Sequence, residues 1–278
     1  MSSRAPILAT VRSTAPLTPH MIRIVLESEG LRGFPVGEFT DHYVKLQLPP
    51  PGASYEAPFD PARIRESLGK DQWHRQRTYT VREADPEAGT ITIDFVTHGS
   101  GLAGPWARDA RPGDRIQLVG PGGAYSPDPE AAWHLLAGDD AAIPAIAAAL
   151  ARIPAGVPVF TVLEVENEEE QLGLTESEGI ATPGALHLIW LYRNGAEHTA
   201  ESRVLDEIVS LALPDGRGQA FVHGEAGMVR EVRRHLVNER GMDLDKLSAT
   251  GYWKFRRDEE GWREDKPEWK RLAEADVT

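Results

Sequence analysis

The stretch Arg77-Thr78-Tyr79-Thr80-Val81-Arg82 sets β-branched and aromatic positions between two arginines, the pattern of a short strand. Two guanidiniums suit a pyrophosphate, Tyr79 suits the face of an aromatic ring, and the Thr80 hydroxyl suits that ring's polar edge. Together these parts would hold a flavin dinucleotide against a strand, with Val81 between the last two contacts. An ordinary half-buried strand with exposed arginines has the same six residues, so the flanking chain has to decide.

Upstream, Ile7–Val11 and Met21–Leu26 are apolar, β-branched runs, and Pro16 and Pro19 mark the turn between them. Residues 41–48 read as a third strand, stopped by Pro49, Pro50 and Pro51. Lys45 on that strand is most simply a lysine facing solvent. Residues 49–73, rich in proline and charge, predict an irregular excursion with a short helical piece over 62–68. Downstream of the arginine strand, Ile91, Ile93 and Phe95 alternate with Thr92, Asp94 and Val96, and Arg115–Val119 closes the series after Pro112-Gly113-Asp114. Six short antiparallel strands predict a small closed barrel.

Ahead of the last strand lies His98-Gly99-Ser100-Gly101-Leu102-Ala103-Gly104-Pro105-Trp106-Ala107. Its glycines allow close backbone approach, and a helix starting near Pro105 would aim free N–H groups at an anion such as a pyrophosphate. His98 offers a further hydrogen bond, although a lone histidine at a strand end is more often structural. The stretch is not the Gly-x-Gly-x-x-Gly fingerprint of a βαβ unit.

Gly120-Pro121-Gly122-Gly123, followed by Pro127 and Pro129, predicts a boundary between a barrel domain over 1–127 and a second domain over 128–278. Beyond it, apolar strands at Trp133–Ala137, Val157–Leu163, Leu186–Leu191 and Gln219–His223 alternate with helical stretches. Met228, Val229, Val232, Leu236 and Val237 share one helix face. Strand–helix alternation predicts a parallel sheet, whose ligands sit at the carboxyl ends of its strands. Gly138, Arg193 and Gly224 lie at three such ends. Arg193 suits the 2′-phosphate of NADPH, whereas Glu164 and Glu166 after the preceding strand would repel one and suit the ribose diol of NADH; the residues alone leave both open.

Composition narrows the chemistry. A chain of 278 residues with 41% hydrophobic content can fill two cores. It has no cysteine, which excludes disulfides, thiolate zinc sites and iron–sulfur clusters held in cis, so one-electron chemistry would require a bound organic cofactor. The formal charge of −13 argues against nucleic-acid binding and means that an anionic substrate would need a local basic patch. The nine histidines show no metal-ligand spacing such as His-x-x-x-His. No apolar run is long enough to span a bilayer, and residues 1–8 lack the basic start and apolar stretch of a signal peptide, so a cytoplasmic location is expected.

Barrel then parallel sheet, with Arg77-x-Tyr79-Thr80-x-Arg82, Asp94-Phe95-Val96-x-His98-Gly99, Gly104-Pro105-Trp106-Ala107, Gly138-Asp139-Asp140-Ala141-Ala142-Ile143-Pro144, His223-Gly224-Glu225 and Gly251-Tyr252-Trp253 in that order, resembles the siderophore-interacting protein family of ferredoxin-reductase-like flavoproteins. The resemblance runs over residues 5–266. It implies an FAD-binding barrel, a nicotinamide-binding domain using NADPH or NADH, and reduction of ferric siderophores. Arg77, Tyr79, Thr80, Val81 and Arg82 would hold the isoalloxazine and its phosphates. His98, Gly99, Leu102, Ala103, Gly104, Pro105 and Trp106 would hold the pyrophosphate and adenosine end. Gly138, Asp139, Asp140, Pro144, Arg193, Gly224 and Glu225 would serve the nicotinamide cofactor, with Trp253 as a candidate shield for a flavin face. The hydroxyl usual in the family is absent at Ala141, and Lys254-Phe255-Arg256-Arg257 departs from the family's glycine and basic pair.

Lys45, Lys254, Arg257 and Lys266 are the candidate receptors for an anionic iron complex. The segment 256–270 also reads as a mixed charged helix packing through Trp262, Trp269 and Leu272, a C-terminal helical extension. Two alternatives accompany the reductase reading: a general flavin reductase exchanging electrons with a ferredoxin- or flavodoxin-type partner, and a flavin-containing siderophore-binding protein with little turnover.

Overall fold

In a computed structural model the described residues are 5–35, 37–97, 101–174, 185–196 and 203–277. The chain divides into two compact units, Met1–Ala124 and Tyr125–Thr278.

The first unit is a seven-stranded antiparallel sheet. Its strands are β1 (Ile7–Thr18), β2 (Met21–Glu27), β3 (Tyr43–Leu48), β4 (Arg75–Thr80), β5 (Glu83–Asp85), β6 (Thr90–Val96) and β7 (Arg115–Gly122). Their order is β4-β3-β7-β1-β2-β6-β5. The two edge strands, β4 and β5, are consecutive in the chain and separated only by Val81 and Arg82. The sheet must therefore curl until its edges meet, and the Arg82 N–H donates to Thr92 O on β6 at 2.8 Å across the join. That short β5 is the strand beyond the six expected. Two helices accompany the strands: α1 (Pro61–Ser67), within the expected excursion, and α2 (Ala103–Asp109).

Period-two alternation fills the barrel. Ile24 and Leu26, Val44 and Leu46, Ile91, Ile93 and Phe95, and Leu118 are all fully buried in one cluster. On the outer face Arg23 and Asp94 stand opposite each other on β2 and β6 and form a bidentate pair at 2.7 and 2.8 Å.

The second unit is a five-stranded parallel sheet of β8 (Trp133–Asp139), β9 (Pro158–Val165), β10 (Ala185–Tyr192), β11 (Gly218–Glu225) and β12 (Leu247–Trp253). Its order is β10-β9-β8-β11-β12, so the chain reverses direction across the sheet between β8 and β11. Helix α3 (Ile143–Leu150) covers one face. Helices α4 (Arg203–Ser210), α5 (Ala226–Asn238) and α6 (Glu259–Ala275) cover the other. Both faces being buried, β8 sends Leu135 into one core and Leu136 into the other, which explains its continuous apolar run. The charged segment after β12 is the expected helix. Trp262 and Trp269 of α6 meet edge to face at 5.9 Å, and the Trp269 indole donates to Ala226 O at 2.7 Å, which docks α6 on the start of α5.

Phe95 is fully buried where β6 meets Tyr79 and Trp106. Phe95→Ala should therefore destabilise the barrel by about 3–5 kcal/mol, read as a lower urea midpoint by circular dichroism with the slope unchanged.

Candidate functional site

The barrel's candidate site lies along β4. Val81 N–H donates to His42 O at 2.7 Å, and Tyr79 and Arg77 continue that ladder opposite Val44 and Leu46. In an antiparallel ladder alternate residues bond to the neighbour, so Thr78 and Thr80 turn their backbone groups towards the other edge of β4. Side chains alternate as well. Arg77 and Tyr79 share the inward face with Leu46 and Val44, whereas Thr78 and Thr80 share the outer face with Lys45 and Tyr43. Tyr79 is half-buried, its ring 4.4 Å from Phe95, which is in turn 5.7 Å from Trp106 of α2. Val81 is a core residue.

Arg82 parts company with Arg77. The Arg82 guanidinium lies 3.7 Å from Glu83, with its side chain 9% exposed, beside the Arg23–Asp94 pair. Burial lowers its pKa, Glu83 and Asp94 opposing. Arg82 thus lies in the charged seam where the barrel closes, beyond the ladder that carries Arg77 and Tyr79.

The second half of the glycine-rich stretch forms α2, which begins at Ala103, two residues before the expected Pro105. Its N-cap residue, Leu102, makes no side-chain capping hydrogen bond. Leu102 and Trp106 line a cavity of about 170 Å³ together with Gln47, Leu48, Pro49 and Arg115. His98 and Gly99 lie outside the described residues. Arg77, half-buried Tyr79 and buried Thr80 lie along β4, and the start of α2 lies beside a cavity that none of the three lines; separately they have the residue types that suit a flavin dinucleotide's ring face, polar edge and diphosphate.

In the second unit the carboxyl end of β8 is the centre. Asp139 is buried and its oxygens are spent inside the protein: Oδ1 accepts from Ala141 N at 3.0 Å, and Oδ2 from Glu225 N at 2.7 Å and from the Trp253 indole at 2.9 Å. Burial, then the adjacent Asp140 charge, raises its carboxyl from 3.8 to about 8 against the pull of those donors. Gly138 and Gly224 make the arrangement possible. A Cβ at Gly138 would lie 2.4 Å from His223 O, and one at Gly224, whose φ is +135°, would lie 2.5 Å from Asp139 Oδ2.

Glu225, expected at a cofactor, caps α5. Its Oε2 accepts from Gly227 N at 2.5 Å and Met228 N at 3.0 Å, and its Oε1 from Phe255 N at 3.1 Å. The positive end of that helix is thus met by the protein's own carboxylate. His223 stacks on Phe221 at 3.8 Å and shares a 2.9 Å hydrogen bond with Ser248; burial, then the Lys266 charge, lowers its pKa to about 3, so it is neutral. Helix α3 starts without a side-chain cap, with Pro144 in its first turn.

Asp140, Glu164, Glu166 and Arg193 converge from β8, β9 and β10. The Arg193 guanidinium lies 3.2 Å from Glu166 and 3.9 Å from both Glu164 and Asp140, with its side chain 7% exposed. Asp140 Oδ1 and Arg193 Nε and Nη1 are buried without hydrogen bonds, a cost of about 1–3 kcal/mol for each such group. Burial raises the Glu164 pKa, with Arg193 opposing.

The expected substrate cations divide. Lys254 and Arg257 come together on Asp265 of α6, Lys254 at 3.1 Å and Arg257 in a bidentate pair at 2.8 and 3.0 Å. Lys266 instead donates to Gly251 O at 3.0 Å and lies over the Trp262 ring, holding α6 to β12. Lys45 is half-buried on the outer face of β3. Asp265 was not foreseen; the only signal for it is a carboxylate eleven residues after Lys254 on a charged helix. Among the described residues no group of His, Cys, Asp or Glu could hold a metal ion, and no helix is long and apolar enough to cross a membrane.

An antiparallel barrel followed by a parallel sheet of this order is the fold of ferredoxin-reductase-like flavoproteins. Residues 10–125 match the siderophore-interacting FAD-binding domain and residues 131–256 the siderophore-interacting protein family, so the chain belongs to that family and its cofactor is FAD. An uncharacterised protein of Mycobacterium tuberculosis is 39% identical over 96% of this chain and 95% of its own. The ferric vibriobactin reductase ViuB of Vibrio cholerae is 34% identical over 90% of each. The crystal structure of the siderophore-interacting protein SipS from Aeromonas hydrophila superposes with a TM-score of 0.78 at 29% identity, covering 95% of this chain and 97% of that one.

The Asp139 carboxyl has a pH signature. Its folded pKa lies above the unfolded 3.8, so its stabilising contribution is complete below about pH 4 and is lost as pH rises through about 8. Relative to Asp139→Asn, the wild type should lose stability between about pH 5 and pH 8, measured as the difference in urea midpoints. Two curves that stay parallel over that range would show an unshifted carboxyl.

Proposed function

We propose that this protein is an FAD-dependent ferric-siderophore reductase, taking a hydride from NADPH or NADH and passing electrons to Fe(III) in the cytoplasm. The observation that carries the reading is the match to ferric vibriobactin reductase over 90% of both chains, on a barrel whose β4 carries residue types that suit a flavin. The overall change balances as NAD(P)H + 2 Fe(III) → NAD(P)+ + 2 Fe(II) + H+. Bound FAD takes up the pair of electrons that a hydride carries and gives them up singly, which neither the nicotinamide nor the iron can do for the other.

The chain's own residues bind and orient. Arg77 supplies positive charge towards the diphosphate, Tyr79 an aromatic face, and Thr80 and the β4 edge the groups that read the ring's polar side. Leu102, Ala103, Gly104, Pro105 and Trp106 supply the start of α2 and one wall of the adjoining cavity. No general acid or nucleophile is needed. Hard oxygen ligands of a siderophore hold Fe(II) far less tightly than Fe(III), so reduction itself frees the metal, which is substrate throughout.

Lys254 and Arg257 are the receptors assigned to the anionic iron complex. They share Asp265, and Asp258 and Glu264 also act on Arg257, so the two cations stand among carboxylates in a chain of −13. Lys45 is assigned the same role on the barrel.

Purified protein should be yellow, bleach anaerobically with NADH or NADPH, and recolour with a ferric siderophore while a ferrous chelator reports Fe(II). Binding of the complex without recolouring would replace the reductase reading with that of a carrier, and bleaching only by reduced ferredoxin would replace the donor. Lys254→Ala with Arg257→Ala should raise the KM for an anionic ferric siderophore roughly tenfold, about 1.4 kcal/mol, with the difference shrinking as salt is added. An unchanged KM would remove both residues from the substrate site.

A further inference from the structure

We propose that Asp140, Glu164, Glu166 and Arg193 select a nicotinamide dinucleotide whose adenosine ribose is a free diol, NADH rather than NADPH; this rests on the nicotinamide reading above and names the donor within it. The four residues stand at the carboxyl ends of β8, β9 and β10, the edge at which parallel sheets bind nucleotides.

An arginine that recognises a 2′-phosphate must turn two N–H groups to it. Arg193 is instead held among carboxylates, with Nη2 already given to one of them. Its Nη2 donates to Glu166 Oε2 at 3.2 Å and lies 3.9 Å from Asp140 Oδ2, and its Nη1 lies 3.9 Å from Glu164 Oε2. Glu166 is itself fixed, because its Oε1 accepts from Gly195 N at 2.8 Å and its backbone oxygen from Asn194 N at 2.7 Å. The turn that carries Arg193 is therefore held on the acid opposing it.

The charge balance points the same way. Three carboxylates face one buried guanidinium. The exposed Arg203 of α4, whose guanidinium donates to Tyr192 O at 3.0 Å, adds a second positive charge at the rim and still leaves the set one short of neutrality. A phosphate monoester would add about −1.5 to −2 more. A ribose diol adds no charge, and each hydroxyl can donate to a carboxylate while accepting from an N–H. Asp140, Glu164 and Glu166 keep 14, 13 and 33% of their side chains exposed, so carboxylate acceptors for such hydroxyls reach the surface of the site.

Calorimetry on the FAD-loaded full chain with 5′-AMP and with 2′,5′-ADP tests the assignment apart from turnover. The wild type should bind 5′-AMP more tightly by at least about 30-fold, the factor that two unit charges give at about 8 Å and an effective dielectric of about 20, because the 2′-phosphate carries more than one charge. NADH should exceed NADPH in kcat/KM for anaerobic flavin bleaching by a similar factor, and Asp140→Asn with Glu164→Gln should cut the preference at least about fivefold. Equal or tighter binding of 2′,5′-ADP by the wild type would overturn the proposal and leave the nicotinamide reading standing. Failure of both nucleotides to bind would remove that reading and the proposal together. The wild-type comparison needs no variant, so a double variant that does not fold leaves the test intact.

Discussion

Asp139 is the constraint on which the sheet's working edge depends. One carboxyl gathers an N–H from its own turn, one from the end of β11 and the indole of β12, so it ties the carboxyl ends of three parallel strands to a single point. The tie requires two strands to approach without side chains between them, which is what Gly138 and Gly224 allow. Because these groups are satisfied within the protein, Asp139 supports the candidate site without facing a ligand. Glu225 extends the same logic by capping α5 and anchoring Phe255 N, so the segment with Lys254 and Arg257 leaves the sheet from a fixed place.

The barrel was legible because its strands are half-buried and obey a period of two. Ile91, Ile93 and Phe95 announce an inward face without any tertiary knowledge, and Leu135 and Leu136 announce a strand buried on both sides. Short β5 was not legible, since Glu83-Ala84-Asp85 has no apolar rhythm and exists as a strand only because β6 stands beside it. Helix α4 was also missed; its two buried residues, Val204 and Ile208, are too few to signal a helix by periodicity alone.

The site was legible by residue type and less so by partnership. The two arginines that flank the strand have no local signal for their partners: the chain crosses from one edge of the sheet to the other at Val81 and Arg82, and the second arginine turns to Glu83. Likewise Asp140, Glu164 and Arg193 stand separately at strand ends in the sequence. Only the strand order β10-β9-β8 makes them neighbours. Hydrogen bonds that join residues far apart in the chain, such as Trp253 to Asp139, have no local signature at all.

Both candidate regions of the second unit share an electrostatic habit. Arg193 is ringed by three carboxylates, and Lys254 and Arg257 share Asp265. In a chain of −13, unpaired arginines would attract any phosphate in the cell, whereas a cation already matched to a carboxylate discriminates by geometry and by what charge a ligand adds. Beyond about 8–10 Å physiological salt screens the acidic background, so an anionic partner meets only these local balances. The same pairing that weakens general attraction is therefore what lets the two regions differ. The one around Arg193 sets three carboxylates about one guanidinium, while the one around Asp265 sets two cations on one carboxylate.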